Sequence, residues 1–184
     1  MITLIVVNCQ NDFISGTMLV KGAKEILTNI KDYISKNLDS IDKIIFTIEW
    51  HPFNHCSFKK NGGQQQVHCV QYTPGACIEP KLLKYVQSTN LEYCVSQIGT
   101  IEEVDDKGAF RDIEFAQDSL GKRYYFDSIV VANADTDFVI CGLTDAVKET
   151  IKNMAFGNII PKVFVDGINI NVKKLIEDYK LEVC

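Results

Sequence analysis

No apolar run in the chain reaches the roughly 18 residues that a membrane-spanning helix needs. The apolar start Ile2-Thr3-Leu4-Ile5-Val6-Val7 is too short for a secretory signal and lacks a basic flank. Positive charge is not in excess: 19 Lys and Arg face 24 Asp and Glu, giving a net charge of −5. That balance leaves no basic footprint for nucleic acid. The seven cysteines (Cys9, Cys56, Cys69, Cys77, Cys94, Cys141 and Cys184) contain no CxxC pair and follow no disulfide-scaffold spacing. They read as reduced, mostly buried thiols of a cytoplasmic protein. No internal repeat, linker or low-complexity segment interrupts the chain. Histidine is scarce, and its three copies, His51, His55 and His68, all fall inside one 18-residue window.

What remains is an ordinary globular composition, with 46% hydrophobic and 23% charged residues over 184 positions. This suits one domain spanning 1–184. Residues 2–7 form a nearly unbroken apolar run and predict a buried strand. A turn-rich stretch follows over 8–22. Residues 24–38 carry Ile26, Ile30, Tyr33 and Ile34 on one face and predict a helix. Further strands are expected at 43–48, 92–97, 128–133, 138–141 and 162–165. Helices are expected at 80–88, at 144–156 with Thr144 as N-cap and Gly157 after the end, and at 172–179. Residues 98–123 are polar and mixed, and 181–183 can close the sheet. Strands alternating with helices predict a three-layer, Rossmann-like α/β domain with a mainly parallel sheet. In such sheets ligands sit beyond the carboxyl ends of the strands. Three loops leave strands there, from Asn8, Glu49 and Gly142.

Residues 49–75 have little periodicity, and a stretch this long in a compact domain is usually functional. Glu49-Trp50-His51-Pro52-Phe53-Asn54-His55 puts a carboxylate and two imidazoles directly after a strand. His68 can return to them through the intervening loop. Neutral imidazoles with a carboxylate suit a divalent metal, zinc ahead of iron or manganese. The predicted ligands are therefore Glu49, His51, His55 and His68.

Several segments together resemble the nicotinamidases of the isochorismatase-like cysteine hydrolase superfamily. Leu4 through Asn8 to Phe13 resembles their opening, and Glu49-Trp50-His51-Pro52 through Ser57-Phe58 resembles their metal loop. His68-Cys69-Val70-Gln71 with Thr73-Pro74-Gly75-Ala76 is similar to the segment carrying the last metal ligand. Glu103-Val104-Asp105 with Ala109-Phe110, and Cys141-Gly142-Leu143 with Val147-Lys148 and Thr150, are similar to the middle and nucleophile motifs. The resemblance implies a Rossmann-like fold and amide hydrolysis. In that chemistry a cysteine attacks the amide carbon, an aspartate carries the proton, and a lysine supports the charge. A metal holds the pyridine nitrogen of nicotinamide.

Set against that pattern, the three triad positions are substituted. Asn8 stands at the aspartate position, and a carboxamide takes no proton at neutral pH. Ile98 stands at the lysine position and brings no charge. Ala146 stands at the nucleophile position and cannot form a covalent intermediate. The loop before it is one residue short, between Gly142 and Asp145. The metal-site aspartate is Glu49. Gln65 stands at the position of the ring-stacking aromatic, which leaves Phe13 as a ring contact, with Asp145 beside Ala146 in the pocket. The expectation is a non-catalytic homologue that binds a metal and a small, nicotinamide-like molecule, with a homo-oligomer in view. The alternative is an amide hydrolase with a relocated or metal-water-based mechanism.

Overall fold

The computed structural model describes residues 1–110 and 136–184 in full, and the backbone alone of 115–118 and 123–125. The predicted strand at 128–133 lies outside the described residues. Strands β1 (Ile2–Val7), β2 (Ile41–Glu49) and β3 (Glu92–Ile98) are parallel neighbours. Strand β6 (Asp137–Gly142) runs parallel to the other side of β1, and β7 (Lys162–Ile168) parallel to β6. On the far side, β4 (Phe115–Asp118) and β5 (Arg123–Tyr125) extend β3 antiparallel. The order is β5-β4-β3-β2-β1-β6-β7. The mainly parallel α/β sheet is as expected; the β4–β5 extension falls at 115–125, where the polar sequence predicts no strand.

β1 lies in the middle of the five parallel strands, and this is why its sequence is apolar without alternation. Its side chains divide between two cores. Leu4 and Val6 join Ile26, Ile30 and Ile34 of α2 (Ala23–Lys36) and Leu82 and Val86 of α3 (Pro80–Ser88). Ile5 and Val7 join Val147, Ile151 and Met154 of α4 (Ala146–Phe156) and Leu175 of α5 (Lys173–Tyr179). Alternate residues of one strand thus seal both faces, which makes three layers. The short α1 (Asn11–Ile14) follows β1 within the turn-rich stretch. Val183 bridges to Val163, so the C-terminal segment does reach the β7 edge.

One boundary differs in an informative way. Helix α4 starts at Ala146, not Thr144. Thr144 has a φ of 69°, in the left-handed region, and cannot be a helical residue. Gly157 does follow the helix end. Among the described residues no helix is long and apolar enough to cross a membrane.

Candidate metal and ligand site

The carboxyl ends of β1, β2, β3 and β6 bring the three expected loops together. Glu49 ends β2 and pairs in register with Ile98 at the end of β3. The chain then passes through His51, whose N–H donates to the Cys69 carbonyl while its own carbonyl accepts from Gln71. That ladder folds the long loop back and returns His68 to Glu49. Asp12 locks the return, because its Oδ2 accepts from the Cys69 N–H at 2.7 Å.

Glu49, His51 and His68 each offer a ligand atom, and these atoms lie within 4.8 Å of one another. His51 Nε2 is 3.0 Å from Glu49 Oε2, and His68 Nε2 is 2.7 Å from the same oxygen. The opposite ring nitrogens face backbone carbonyls: His51 Nδ1 is 3.1 Å from Gly99 O, and His68 Nδ1 is 2.7 Å from Gln66 O. A carbonyl only accepts, so each Nδ1 carries a proton. In the neutral ring the Nε2 lone pair then faces the carboxylate. Two lone pairs and one anionic oxygen converging on one point suit a cation, and carbonyl-anchored Nδ1 groups are the usual support of metal-ligating imidazoles. The donor set therefore fits a divalent metal. With protons in place of a cation, the same contacts make ion pairs. Burial by itself would raise the Glu49 pKa, but the bonds to His51 and His68 hold it down to about 2. Burial by itself would lower the His68 pKa, but its contact with Glu49 raises it.

His55 is not brought into this group. Its Nδ1 is 2.7 Å from Ser57 Oγ, and its Nε2 is 3.0 Å from the Val104 carbonyl. The carbonyl takes the Nε2 proton and the hydroxyl donates to Nδ1, so both ring nitrogens are occupied. Burial, then the neighbouring His51, lowers the His55 pKa and keeps the ring neutral. Its ring stacks at 4.2 Å from that of His51, as a packing partner.

Next to the metal-type group is a cavity of about 250 Å³, whose wall includes Glu49, His51 and His68 together with Phe13, Gln65, Asp145 and Ala146. The Phe13 ring meets His68 edge-on at 5.6 Å. Asp145 is exposed, and its carboxylate accepts from Lys148 Nζ at 2.8 Å. Asn8, fully buried, donates from Nδ2 to Glu49 Oε1 at 2.7 Å and to Thr144 Oγ1 at 3.1 Å. It thereby ties the metal-type carboxylate to the turn before α4. Ile98 is buried in the apolar cluster that also holds Ala109, Phe110 and Ala146. Its carbonyl accepts from the Trp50 N–H.

The wall also includes Met18, Asp105, Asp106, Lys107, Thr144 and Glu149, none of which the sequence marks as a pocket residue. The stretch from 105 to 108 is pinned on α4, where Thr150 Oγ1 accepts from the Ala109 N–H at 3.0 Å and Asn153 Nδ2 donates to the Ala109 carbonyl at 2.9 Å. Gly99 was also missed. Its φ is 64°, and a Cβ there would run into the His51 ring. A glycine directly after a strand is the signal that could have marked it.

No protein-family model matches the chain. Among curated proteins, a nicotinamidase of Acinetobacter baylyi is 30% identical over 159 residues, covering 74% of this chain and 70% of that protein. Among solved structures, the yeast nicotinamidase bound to the inhibitor nicotinaldehyde has a TM-score of 0.80 at 23% identity, covering 100% of this chain and 99% of that one. The pyrazinamidase of Pyrococcus horikoshii in complex with zinc has a TM-score of 0.75 at 22% identity, covering 100% and 98%. The identity and coverage shared with the Acinetobacter nicotinamidase show that the chain belongs to the nicotinamidase family, and its mainly parallel α/β sheet has the isochorismatase-like fold.

Proposed function

We propose that this chain binds a divalent metal and a small, nicotinamide-like molecule, and that it does not carry out the cysteine chemistry of its family. In this reading Glu49, His51 and His68 hold the ion, zinc before iron or manganese, and His55 braces His51 from outside. A bound ion would supply a Lewis acid for a lone-pair atom of the ligand. Phe13 faces the ligand ring, with Gln65 and Asp145 at the wall. Asn8, Ile98 and Ala146 occupy the base, lysine and nucleophile positions and supply none of those functions.

One observation carries the reading: Ala146 is in the cavity wall, and no cysteine lines that cavity among the described residues. The thiols that could stand in are elsewhere. Cys9 and Cys141 are fully buried in the core on the α2 side of the sheet. Burial above all pushes both thiols far above the usual range, aided for Cys9 by Glu79, so neither supplies a thiolate. The test is a metal analysis of the purified protein in parallel with an assay of ammonia release from nicotinamide. Stoichiometric metal with no turnover is expected. Metal-dependent release of ammonia would overturn the reading in favour of a relocated hydrolase.

A further inference from the structure

Thr144 stands between the end of β6 and the first residue of α4 with a φ of 69°. A β-branched residue in that region is an outlier that its surroundings must hold in place. Four hydrogen bonds hold it, one of them from the Val147 N–H to its carbonyl at 3.3 Å. Its N–H donates to Asn169 Oδ1 at 2.9 Å. Its Oγ1 accepts from Asn8 Nδ2 at 3.1 Å and from the Ala146 N–H at 3.3 Å. A threonine hydroxyl has two lone pairs and one proton. Both lone pairs are engaged by donors, and among the described residues no acceptor takes the proton. Thr144 lines the cavity, so the cavity is where that proton can go.

The two incoming donors also set the strength of this hydroxyl. One is the first N–H of α4, at the positive end of the helix. The other is a carboxamide whose second N–H is held by Glu49. Donors feeding an oxygen polarise its O–H and make it a better donor in turn. The amide orientation is fixed by the same contacts, because a flipped Asn8 would set its oxygen against the Glu49 carboxylate.

We propose that Thr144 is the residue that orients the bound molecule, donating its hydroxyl proton to a carbonyl oxygen of the ligand and so selecting for ligands that carry one. The proposal rests on the reading of the cavity as a small-molecule site. It also gives Asn8 a role that an aspartate could not fill. A carboxylate at that position would accept the Thr144 proton and turn the hydroxyl away from the cavity.

The test compares two probes on zinc-loaded protein by calorimetry: nicotinamide, and pyridine, which keeps the ring nitrogen and lacks the carbonyl. Thr144→Val keeps the shape and β-branching and removes the hydroxyl. It is expected to weaken nicotinamide about tenfold and to leave pyridine unchanged. Thr144→Ser should bind both probes like the wild type. Thr144→Ala also removes the hydroxyl and leaves the Asn8–Glu49 contact in place, and it serves if Thr144→Val fails to fold. Equal affinities of wild type and Thr144→Val for nicotinamide, or an equal loss for both probes, would overturn the assignment of Thr144 alone. Failure of both probes to bind the wild type would remove the small-molecule site itself, and the assignment with it.

Discussion

The cavity has two unlike walls. The first, from the end of β2 and the loop that returns at His68, presents charge-bearing atoms to one point. Each of its imidazoles is turned outward by a backbone carbonyl behind it. The second, from the turn into α4, satisfies itself except at the Thr144 hydroxyl proton. The Ala146 N–H is taken by the Thr144 hydroxyl, Asp145 pairs with Lys148, and Glu149 pairs with Lys152. A wall kept for binding a cation directs its polar atoms into the cavity and fixes them from behind. The wall at the start of α4 is held by a helix-capping contact and surface ion pairs instead. Substitutions on the two walls should therefore fail in different ways.

The largest effect is expected at Ile98, a residue of the core. Ile98 is 1% exposed and packs with Ala109, Phe110 and Ala146. Ile98→Lys would bury an uncompensated charge in that cluster and should cost about 3–5 kcal/mol. Urea unfolding would show it as a lowered midpoint with metal stoichiometry intact in the folded fraction. A stability within about 0.5 kcal/mol of wild type would mean that a partner for a lysine survives there.

On the opposite wall, His68→Ala should leave stability less affected and metal binding lost. Removing a ligand costs more than removing its support, so a fall in zinc affinity beyond about 100-fold is expected by chelator competition. Gly99→Ala comes next. Its methyl group would push the His51 ring out of line and strain a left-handed backbone. The expected loss is about tenfold in zinc affinity, as for other supporting contacts. Unchanged zinc affinity in Gly99→Ala would mean that His51 is not a ligand.

Much of this contrast was legible in the sequence, and the rest was hidden for identifiable reasons. The apolar run of residues 2–7 predicts a buried strand inside the sheet, because a strand covered on both faces needs no polar side. Three histidines crowded into one loop beside Glu49 mark the first wall by density alone. His55 belongs to that crowd yet turns to Ser57 and Val104, and no spacing rule distinguishes a ligand from a histidine packed behind one. The β4–β5 extension adds to the sheet through backbone hydrogen bonds, which leave little mark on a mixed, polar stretch. The second wall was hardest to read. Its decisive contacts join Asn8 to Thr144, and Thr144 to Asn169, across long separations. The φ of Thr144 also moves the helix start two residues past the capping signal.

The smallest effect should come from the charges that look most prominent on the second wall. Lys148 donates to Asp145 at 2.8 Å, but Asp145 has a side-chain exposure of 79%. Solvent screens such a pair, and two side chains must be ordered to form it. Lys148→Ala should therefore change stability by no more than about 0.5 kcal/mol, and zinc affinity not at all. Thermal unfolding at low and at moderate salt would check this, with the same small difference shrinking as salt rises. A loss of 2 kcal/mol or more (roughly, against the usual range for exposed pairs) would show that Asp145 depends on Lys148 to hold the turn at Thr144. In that case the second wall would be as deliberately braced as the first, and the contrast between a wall turned to a cation and one held by its own capping contacts and surface pairs would fail at its weakest contact.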